Sequence, residues 1–359
     1  MRAERISGRQ FGLLTLLAMM APLIHAVPTR TAAAGRASWL AAVPAALPLG
    51  VLLWALFHAL ARLPEGSGLA DLYLLGLGRH WGMVCCALSG VWLLMILVAD
   101  LRFCAERYVT AVYPDTGRGM FYLSLLALAL WMGRGSLAAL ARAGTVLFWV
   151  VTVTLVVVLA MAAPRMHIYN VWPVTDTRLE QAGAGALRLS AVVSLAVPFS
   201  FLLGQVERRG ARKGVLLWLG GLTTAMVCIA AVIFGVFGPE LAGELQVPFF
   251  ALAKEISLRR TIQGIEVVVA AMWVMSDAAL TGAVLFALGE LVCRMIPRWD
   301  REMVRTAAVC LLVPLCLLLP RSSFRMERLY IRYGLPMNLA AGYLLPALAL
   351  VAGRVRKRW

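Results

Sequence analysis

The chain has 359 residues, of which 62% are hydrophobic and 14% charged, and its mean hydropathy is +0.83. Soluble domains are about half apolar and a quarter charged, so this composition excludes a soluble globular protein. The formal net charge of +16 would suit nucleic acid, but the basic residues are spread over all the connections between apolar segments, as is typical of arginines that anchor membrane helices. We therefore expect an integral membrane protein in a lipid bilayer, with no nucleic-acid partner.

Apolar runs bounded by Arg, Gly or Pro predict an all-α polytopic fold with ten membrane spans. The runs lie at 11–28, 37–61, 81–112, 119–133, 143–163, 186–204, 214–238, 262–292, 304–319 and 336–353. Ten spans of about 20 residues leave no length for a soluble catalytic domain. The first run follows a basic flank, as in a signal peptide, but it contains Pro22 and His25 and has no small-residue cleavage site, so we expect a retained helix.

The distribution of basic residues predicts the orientation of the chain. Alternate connections that include both termini hold 19 of the 34 Lys and Arg residues, and the other connections hold 15. This excess predicts that both termini are cytoplasmic. The long connections 164–185 and 239–261 are then external. Apolar residues at helical spacing in the second connection favour a short helix over a solvated loop; they are Phe249, Leu252, Ala253 and Ile256.

The ten spans divide into two sets of five, at 1–163 and 186–353, within a single membrane domain. Pro22 lies about 12 residues into span one, and Pro198 lies about 13 residues into span six. In inverted-repeat carriers, the first helix of each half is broken near the bilayer midplane, where free backbone groups line a ligand site. The two prolines indicate either such breaks or ordinary kinks that lipid tolerates.

Ionisable side chains inside the apolar spans are candidate functional residues, because each costs on the order of 3 kcal/mol at a helix centre and normally faces a cavity or a partner. In span eight, Glu266, Trp273 and Asp277 share one helical face within about 40°. We expect this face to line the interior, where it binds ligand, relays protons or forms an ion pair. The candidate partners of such a pair are Arg102, Arg107 and Arg142.

Two further groups leave alternatives open. His25 either binds ligand or protons, or is a buried histidine with satisfied hydrogen bonds. Asp100 and Arg107 are seven residues apart and share a face of span three, which indicates either the charged end of a long helix or a gate. The seven cysteines show no C-x-x-C spacing and predict neither a disulfide framework nor a metal site. The sequence contains no recognisable nucleophile–base pair or phosphate-binding loop, so we expect that the protein is not an enzyme and uses no cofactor.

Short motifs in a characteristic order resemble the spore germination permease family over nearly the whole chain. The motifs are Ile6-Ser7-Gly8-Arg9-Gln10, Trp39, Gly78-Arg79-His80-Trp81-Gly82, Tyr113-Pro114-Asp115-Thr116, Arg142, Trp172-Pro173, Phe237-Gly238, Val247-Pro248, Ile256-Ser257, and Ile265-Glu266 with Trp273. Three positions depart from the family pattern. The family tends to have a glycine-containing break in span one, where this sequence reads Met20-Ala21-Pro22, and an Asp two residues before the Trp of span two, where it has Ala37. The basic residue usual just before the span-eight Glu is absent at Gly264-Ile265.

This resemblance implies a ten-helix, LeuT-like 5+5 inverted repeat of the amino acid–polyamine–organocation superfamily, located in the spore inner membrane. Family members are B subunits of germinant receptors, which recognise a small nutrient such as an amino acid and act with A-type and C-type subunits. In that fold the ligand lies between spans one, three, six and eight, and the segment 239–261 corresponds to a helical lid. A proton- or sodium-coupled carrier of amino acids or amines is the alternative function. The candidate ligand-binding residues are Ala21, Pro22, His25, Trp92, Ile96, Asp100, Val197, Phe199, Ser200, Glu266, Trp273 and Asp277.

Overall fold

The computed structural model describes residues 5–111, 116–173, 179–207, 211–258, 264–318 and 322–356. Within these ranges the chain is helical and forms no sheet, and Ile6 and Val206 meet in an isolated parallel bridge. The all-α class is therefore confirmed. The family motif at Tyr113-Pro114-Asp115, the basic loop at 208–210 and parts of the two long connections lie outside the described residues.

The helices follow the predicted apolar runs closely. In chain order they are α1 (Gly8–Thr31), α2 (Ala42–Leu60), α3 (Leu69–Gly76), α4 (Arg79–Ala111), α5 (Arg118–Arg134), α6 (Leu137–Ala162), α7 (Leu179–Val193), α8 (Ala211–Phe237), α9 (Pro239–Glu244), α10 (Pro248–Leu258), α11 (Ile265–Met295), α12 (Arg301–Leu318), α13 (Ser323–Leu329), α14 (Leu335–Leu339) and α15 (Leu345–Val355). A 3-10 helix (Ser194–Gln205) continues α7, and π-helical turns at Tyr330–Gly334 and Ala340–Leu344 join α13, α14 and α15 into one stretch.

In the described part of the chain, eight helical stretches are long and apolar enough to cross a membrane. They contain α1, α2, α4, α6, α7 with its 3-10 continuation, α8, α11, and the stretch from α13 to α15. The predicted spans four and nine correspond to α5 and α12, which have 17 and 18 residues. α12 also begins with Arg301, Glu302 and Arg305. The predicted count of ten is therefore not confirmed for these two helices.

Two helices occupy the centre of the bundle. α1 packs against α6, α7, α8 and α11, and α11 packs in addition against α4 and α12. Gly185 suits the close approach to α1, because a Cβ atom there would lie a tight 3.1 Å from the carbonyl oxygen of Arg30. In contrast, α6 and α8 expose large apolar side chains such as Trp149 and Leu217, 52% and 78% exposed. The outer helices thus present apolar surface to lipid around an interior formed by α1 and α11.

The connection after α8 forms the short helix that the apolar spacing predicts. Phe249, Leu252, Ala253 and Ile256 of α10 are all fully buried. The ring of Phe250 lies 5.7 Å from that of Trp273, measured between centroids, so α10 packs on the first half of α11. The helix is confirmed, and its position over the external mouth stays a prediction because it depends on the orientation of the chain.

A network of charged side chains closes the end of the bundle at which α1 begins. Arg294 donates to Asp71 at 2.9 Å and to Glu290 at 3.1 Å. Glu290 also accepts from Gln205 at 3.2 Å and pairs with Arg301 at 2.9 Å. These contacts join α3, α11, α12 and the end of the 3-10 helix.

Candidate functional site

A small cavity lies in the middle of the bundle, with a volume of about 50 Å³. It is enclosed by α1, α4, α7 and its 3-10 continuation, α11 and the terminal helical stretch. Its polar lining residues are His25, Arg30, Asp100, Arg107, Tyr330 and Asn338. A cavity of this size holds a few water molecules or a small polar ligand.

Beside this cavity, a side chain of α11 forms hydrogen bonds with the backbone of α1. The hydroxyl of Ser276 accepts from the backbone N–H of Ala21 at 2.8 Å and donates to the carbonyl oxygen of Leu17 at 2.7 Å. Leu17 and Ala21 are four residues apart, so these two groups would bond to each other in a regular α-helix. Ser276 therefore bridges the backbone of α1 one residue before Pro22. α1 is a continuous helix through this bridge. Pro22 indicates the place of the bridge but not the residue that supplies it.

Span six changes its helical type four residues before Pro198. α7 ends at Val193, and the following 3-10 helix runs for 12 residues and contains Pro198. Such runs are rarely longer than four residues, so this stretch requires support from its surroundings. Ser194 supplies part of this support by donating to the carbonyl oxygen of Asn338 at 3.1 Å. A Cβ atom on Gly342 would lie 2.6 Å from that of Ser194, so only glycine allows the terminal stretch to pack this closely.

Asn338 connects three helices at the cavity wall. Its side-chain oxygen accepts from the indole N–H of Trp92 at 2.9 Å, and its amide donates to the hydroxyl of Tyr330 at 3.1 Å. Asn338 lies in α14 between the two π-helical turns, and π-turns are frequent at functional sites because they redirect side chains. The network places both Asn338 and Tyr330 against the cavity.

The charged groups of α4 and α11 meet in the interior. A guanidinium nitrogen of Arg107 lies 2.5 Å from a carboxylate oxygen of Asp277, and these side chains are only 6% and 1% exposed. The ring of Trp273 lies 5.9 Å from the guanidinium carbon of Arg107. Asp100 accepts from the hydroxyl of Thr281 at 2.8 Å. The structure thus shows the ion pair that the sequence left open for Asp277, and it places Asp100 and Arg107 on one helix face at the cavity.

His25 presents unsatisfied polar atoms to this cavity. Both ring nitrogens are buried, and neither has a hydrogen bond to any residue in the described part of the chain. Arg30, one turn further along α1, is also buried and pairs with Glu327. Among the described residues, no protein neighbour thus forms a hydrogen bond with the His25 ring. A buried polar atom without a partner costs about 1–3 kcal/mol, which favours water or ligand at this position.

Of the twelve predicted ligand-binding residues, four line the cavity: Pro22, His25, Ile96 and Asp100. Three others contact its lining, namely Trp92 through Asn338, and Trp273 and Asp277 through Arg107. Ala21 donates its backbone N–H to Ser276, and Val197 is buried but does not line the cavity.

The remaining three predicted residues do not line this cavity. Phe199 and Ser200 line a separate groove at the end where α1 begins. Glu266 lies in the first turn of α11. Asn338 and Tyr330 were missed in the sequence, although a lone amide inside the apolar run 336–353 is a signal for the first of them.

The cavity has the chemistry of a binding site for a small polar molecule. It combines a carboxylate, two guanidiniums, an imidazole, a phenol and an amide. Within the described ranges, no three His, Cys, Asp or Glu side chains are grouped so as to hold a metal ion.

Solved structures of membrane transporters are similar to this fold over almost its full length. MhsT in complex with L-phenylalanine has a TM-score of 0.68 at 13% identity, with 100% of this chain and 90% of that chain covered. Mhp1, a nucleobase-cation-symport-1 family transporter in a closed conformation with bromovinylhydantoin bound, has a TM-score of 0.65 at 11% identity, covering 97% of this chain and 78% of that chain.

A sodium-coupled sialic acid symporter in a substrate-bound, outward-open state has a TM-score of 0.65 at 9% identity, with 99% of this chain and 80% of that chain covered. At these identities the similarity establishes the fold, which is that of the LeuT-like transporters.

A search of the curated proteins finds no relative of this chain by sequence. A family model does match: the model described as spore germination protein, or spore permease, aligns with residues 5–322. The match covers most of the chain. It includes all the helices around the cavity apart from the terminal stretch, which begins at Ser323. The chain therefore belongs to the spore permease family of spore germination proteins.

Proposed function

We propose that this protein is the membrane subunit of a germinant receptor and that it binds a small nutrient, an amino acid in the first instance, in the central cavity. The observation that carries this proposal is the meeting of Asp100, Arg107 and the unsatisfied His25 at one small cavity. An amino acid has an ammonium and a carboxylate group, for which a carboxylate and a guanidinium are complementary partners.

The site also provides a route by which occupancy changes the shape of the protein. The cavity touches α1 beside the Ser276 bridge, and it touches the terminal stretch at Asn338, which bonds to Ser194 at the start of the 3-10 helix. A ligand that binds one arrangement of α1, the 3-10 helix and the terminal stretch more tightly shifts the population toward that arrangement. In the proposed receptor, A-type and C-type subunits in the spore inner membrane read this change, and both termini of this chain are cytoplasmic.

A proton- or sodium-coupled carrier of amino acids or amines is the second candidate function. The fold similarity to Mhp1 and to a sodium-coupled symporter supports it. Asp100, buried at the cavity, is the group that would take up the coupling cation or proton.

The test of binding is a thermal-shift screen of the purified protein against amino acids, nucleosides and sugars. We expect amino acids to raise the unfolding temperature. We expect His25→Phe, which keeps the ring and removes both nitrogens, to weaken the best ligand about tenfold, the loss of one good hydrogen bond. His80→Phe is the matched control because His80 is exposed and does not line the cavity. Equal affinity in both variants would remove His25 from the site, and stabilisation by nucleosides or sugars alone would exclude an amino acid.

Measurements of ligand uptake and of co-purifying proteins distinguish the receptor function from the carrier function. For a sensor we expect saturable binding of radiolabelled ligand with little accumulation in proteoliposomes, and co-purification with A-type and C-type subunits from spores. Accumulation that follows an imposed proton or sodium gradient would establish the carrier instead.

A further inference from the structure

A groove lies on the lipid-facing surface between α2 and α15, and it shares no lining residue with the central cavity. Its volume is about 710 Å³, and most of its wall is apolar, from Pro48 and Val51 on α2 to Val351 on α15. Val51 and Trp54 are 69% and 64% exposed. Since α2 and the stretch ending in α15 are membrane-spanning, these exposed apolar side chains face the bilayer.

The groove has three basic side chains in its wall, His58, Arg62 and Arg354. Arg62 lies just after the last residue of α2, and Arg354 lies in the last turn of α15. Both guanidiniums therefore stand where the apolar part of a helix ends, at the same end of the groove. The lining contains no Asp or Glu.

The carboxylates closest in sequence to this end are occupied elsewhere. Glu65 pairs with Arg5 at 2.7 Å, and Asp71 pairs with Arg294 at 2.9 Å. In the described chain, neither the guanidinium of Arg62 nor that of Arg354 has an ion pair or hydrogen bond to protein. The groove thus ends in two positive charges that no carboxylate in the described ranges neutralises.

The dimensions of the groove match one leaflet of the bilayer. From Pro48 to Arg62 the lining follows α2 for roughly 20 Å at 1.5 Å per residue, while one leaflet of hydrocarbon is roughly 15 Å thick. The rings of Trp54 and His58 stack at 5.8 Å with an interplanar angle of 9°, which places a flat aromatic surface next to the charged end.

We propose that this groove is a binding site for one anionic phospholipid, whose phosphate pairs with Arg62 and Arg354 and whose acyl chain lies along α2 and α15. Basic pockets between membrane helices bind anionic headgroups because the guanidiniums and the phosphate are both poorly solvated there. A membrane helix of a partner protein would match the apolar wall but would leave both guanidiniums without a counter-charge. A zwitterionic lipid would bring a positive choline or ethanolamine group to the same place.

The test is native mass spectrometry of the full chain in detergent, titrated with phosphatidylglycerol or with phosphatidylcholine. Each guanidinium is worth roughly fivefold in affinity for an anionic lipid. We therefore expect the variant Arg62→Gln/Arg354→Gln to bind the first phosphatidylglycerol about 25-fold more weakly and phosphatidylcholine unchanged. The matched control is Arg79→Gln/Arg298→Gln, which removes the same charge from exposed positions that do not line the groove, and which should bind like the parent protein.

A steric variant tests the groove without changing charge. Ala347 is exposed in the groove wall on α15, so Ala347→Phe fills the path of the acyl chain and should weaken phosphatidylglycerol binding while preserving the unfolding temperature in lipid-free detergent.

Several results would overturn the proposal. These are equal phosphatidylglycerol affinity in the groove and control variants, full competition by soluble glycerol 3-phosphate, and a photo-crosslinker at Val351 that captures a polypeptide instead of lipid in native membranes.

Discussion

Neutralising one partner of the buried Arg107–Asp277 pair is expected to destabilise the protein by about 3–4 kcal/mol. The two groups are 2.5 Å apart and nearly inaccessible to solvent. For charge centres about 4 Å apart at an effective dielectric constant near 20, the Coulomb energy is about 4 kcal/mol. Asp277→Asn keeps the shape and one acceptor oxygen but leaves the guanidinium uncompensated, and such changes cost about 3–5 kcal/mol. Asp100, at the same cavity, supplies partial compensation, which favours the lower part of this range.

The assay is a double-mutant cycle on the free energy of unfolding in mixed micelles, using Asp277→Asn, Arg107→Gln and the double variant. We expect the double variant to lose at least 2 kcal/mol less unfolding free energy than the two single variants lose together. The reason is that the double variant leaves neither charge buried without its partner. Glu244→Gln, an exposed neutralisation at the end of α9, should change stability by less than about 0.5 kcal/mol. Additive losses at Arg107 and Asp277 would refute the pair as a stabilising contact.

Three further variants test the contacts that hold α1, the 3-10 helix of span six and the terminal stretch in place. Ser276→Ala should cost about 1 kcal/mol of unfolding free energy, because α1 loses two hydrogen bonds to the hydroxyl and regains only the one between Ala21 and Leu17; unchanged or raised stability would contradict the bridge. Gly342→Ala should cost about 1–3 kcal/mol by overpacking against span six, whereas Gly183→Ala, which has open space around its Cβ position, should be neutral or slightly stabilising; equal effects would argue against the close contact. Trp92→Phe should lower stability by about 1–3 kcal/mol by leaving the buried side-chain oxygen of Asn338 without its donor, and an unchanged midpoint of thermal unfolding would exclude that hydrogen bond.

The hydrogen bonds between Ser276 and α1 show how far prediction from the sequence reaches. Pro22 marks the depth at which the helix is weakened, since proline has no N–H group to donate. The bridge itself comes from Ser276, which is 255 residues away from Ala21. A serine in an apolar helix is common and often bonds within its own helix, so its residue type alone indicates no such role.

The partner of Asp277 is a second feature that the sequence alone does not predict. Its position near the middle of span eight predicts an interior side chain, because a carboxylate facing lipid is costly. Three arginines were possible partners by sequence, and only the rotation of α4 against α11 selects Arg107.

The sequence by itself determined the membrane class, the all-α fold, the places of the apolar helices and the family, because hydropathy, helix length and motif order are properties of contiguous residues. It also determined the helix after α8, whose apolar spacing is local. The tertiary structure alone decided which ionisable groups meet, how α1 and the 3-10 helix of span six are supported, and that Asn338 and Tyr330 belong to the cavity while Phe199 and Ser200 do not. The physical reason is that these contacts join helices far apart in the chain, and the depth and rotation of each helix are set by packing against its neighbours.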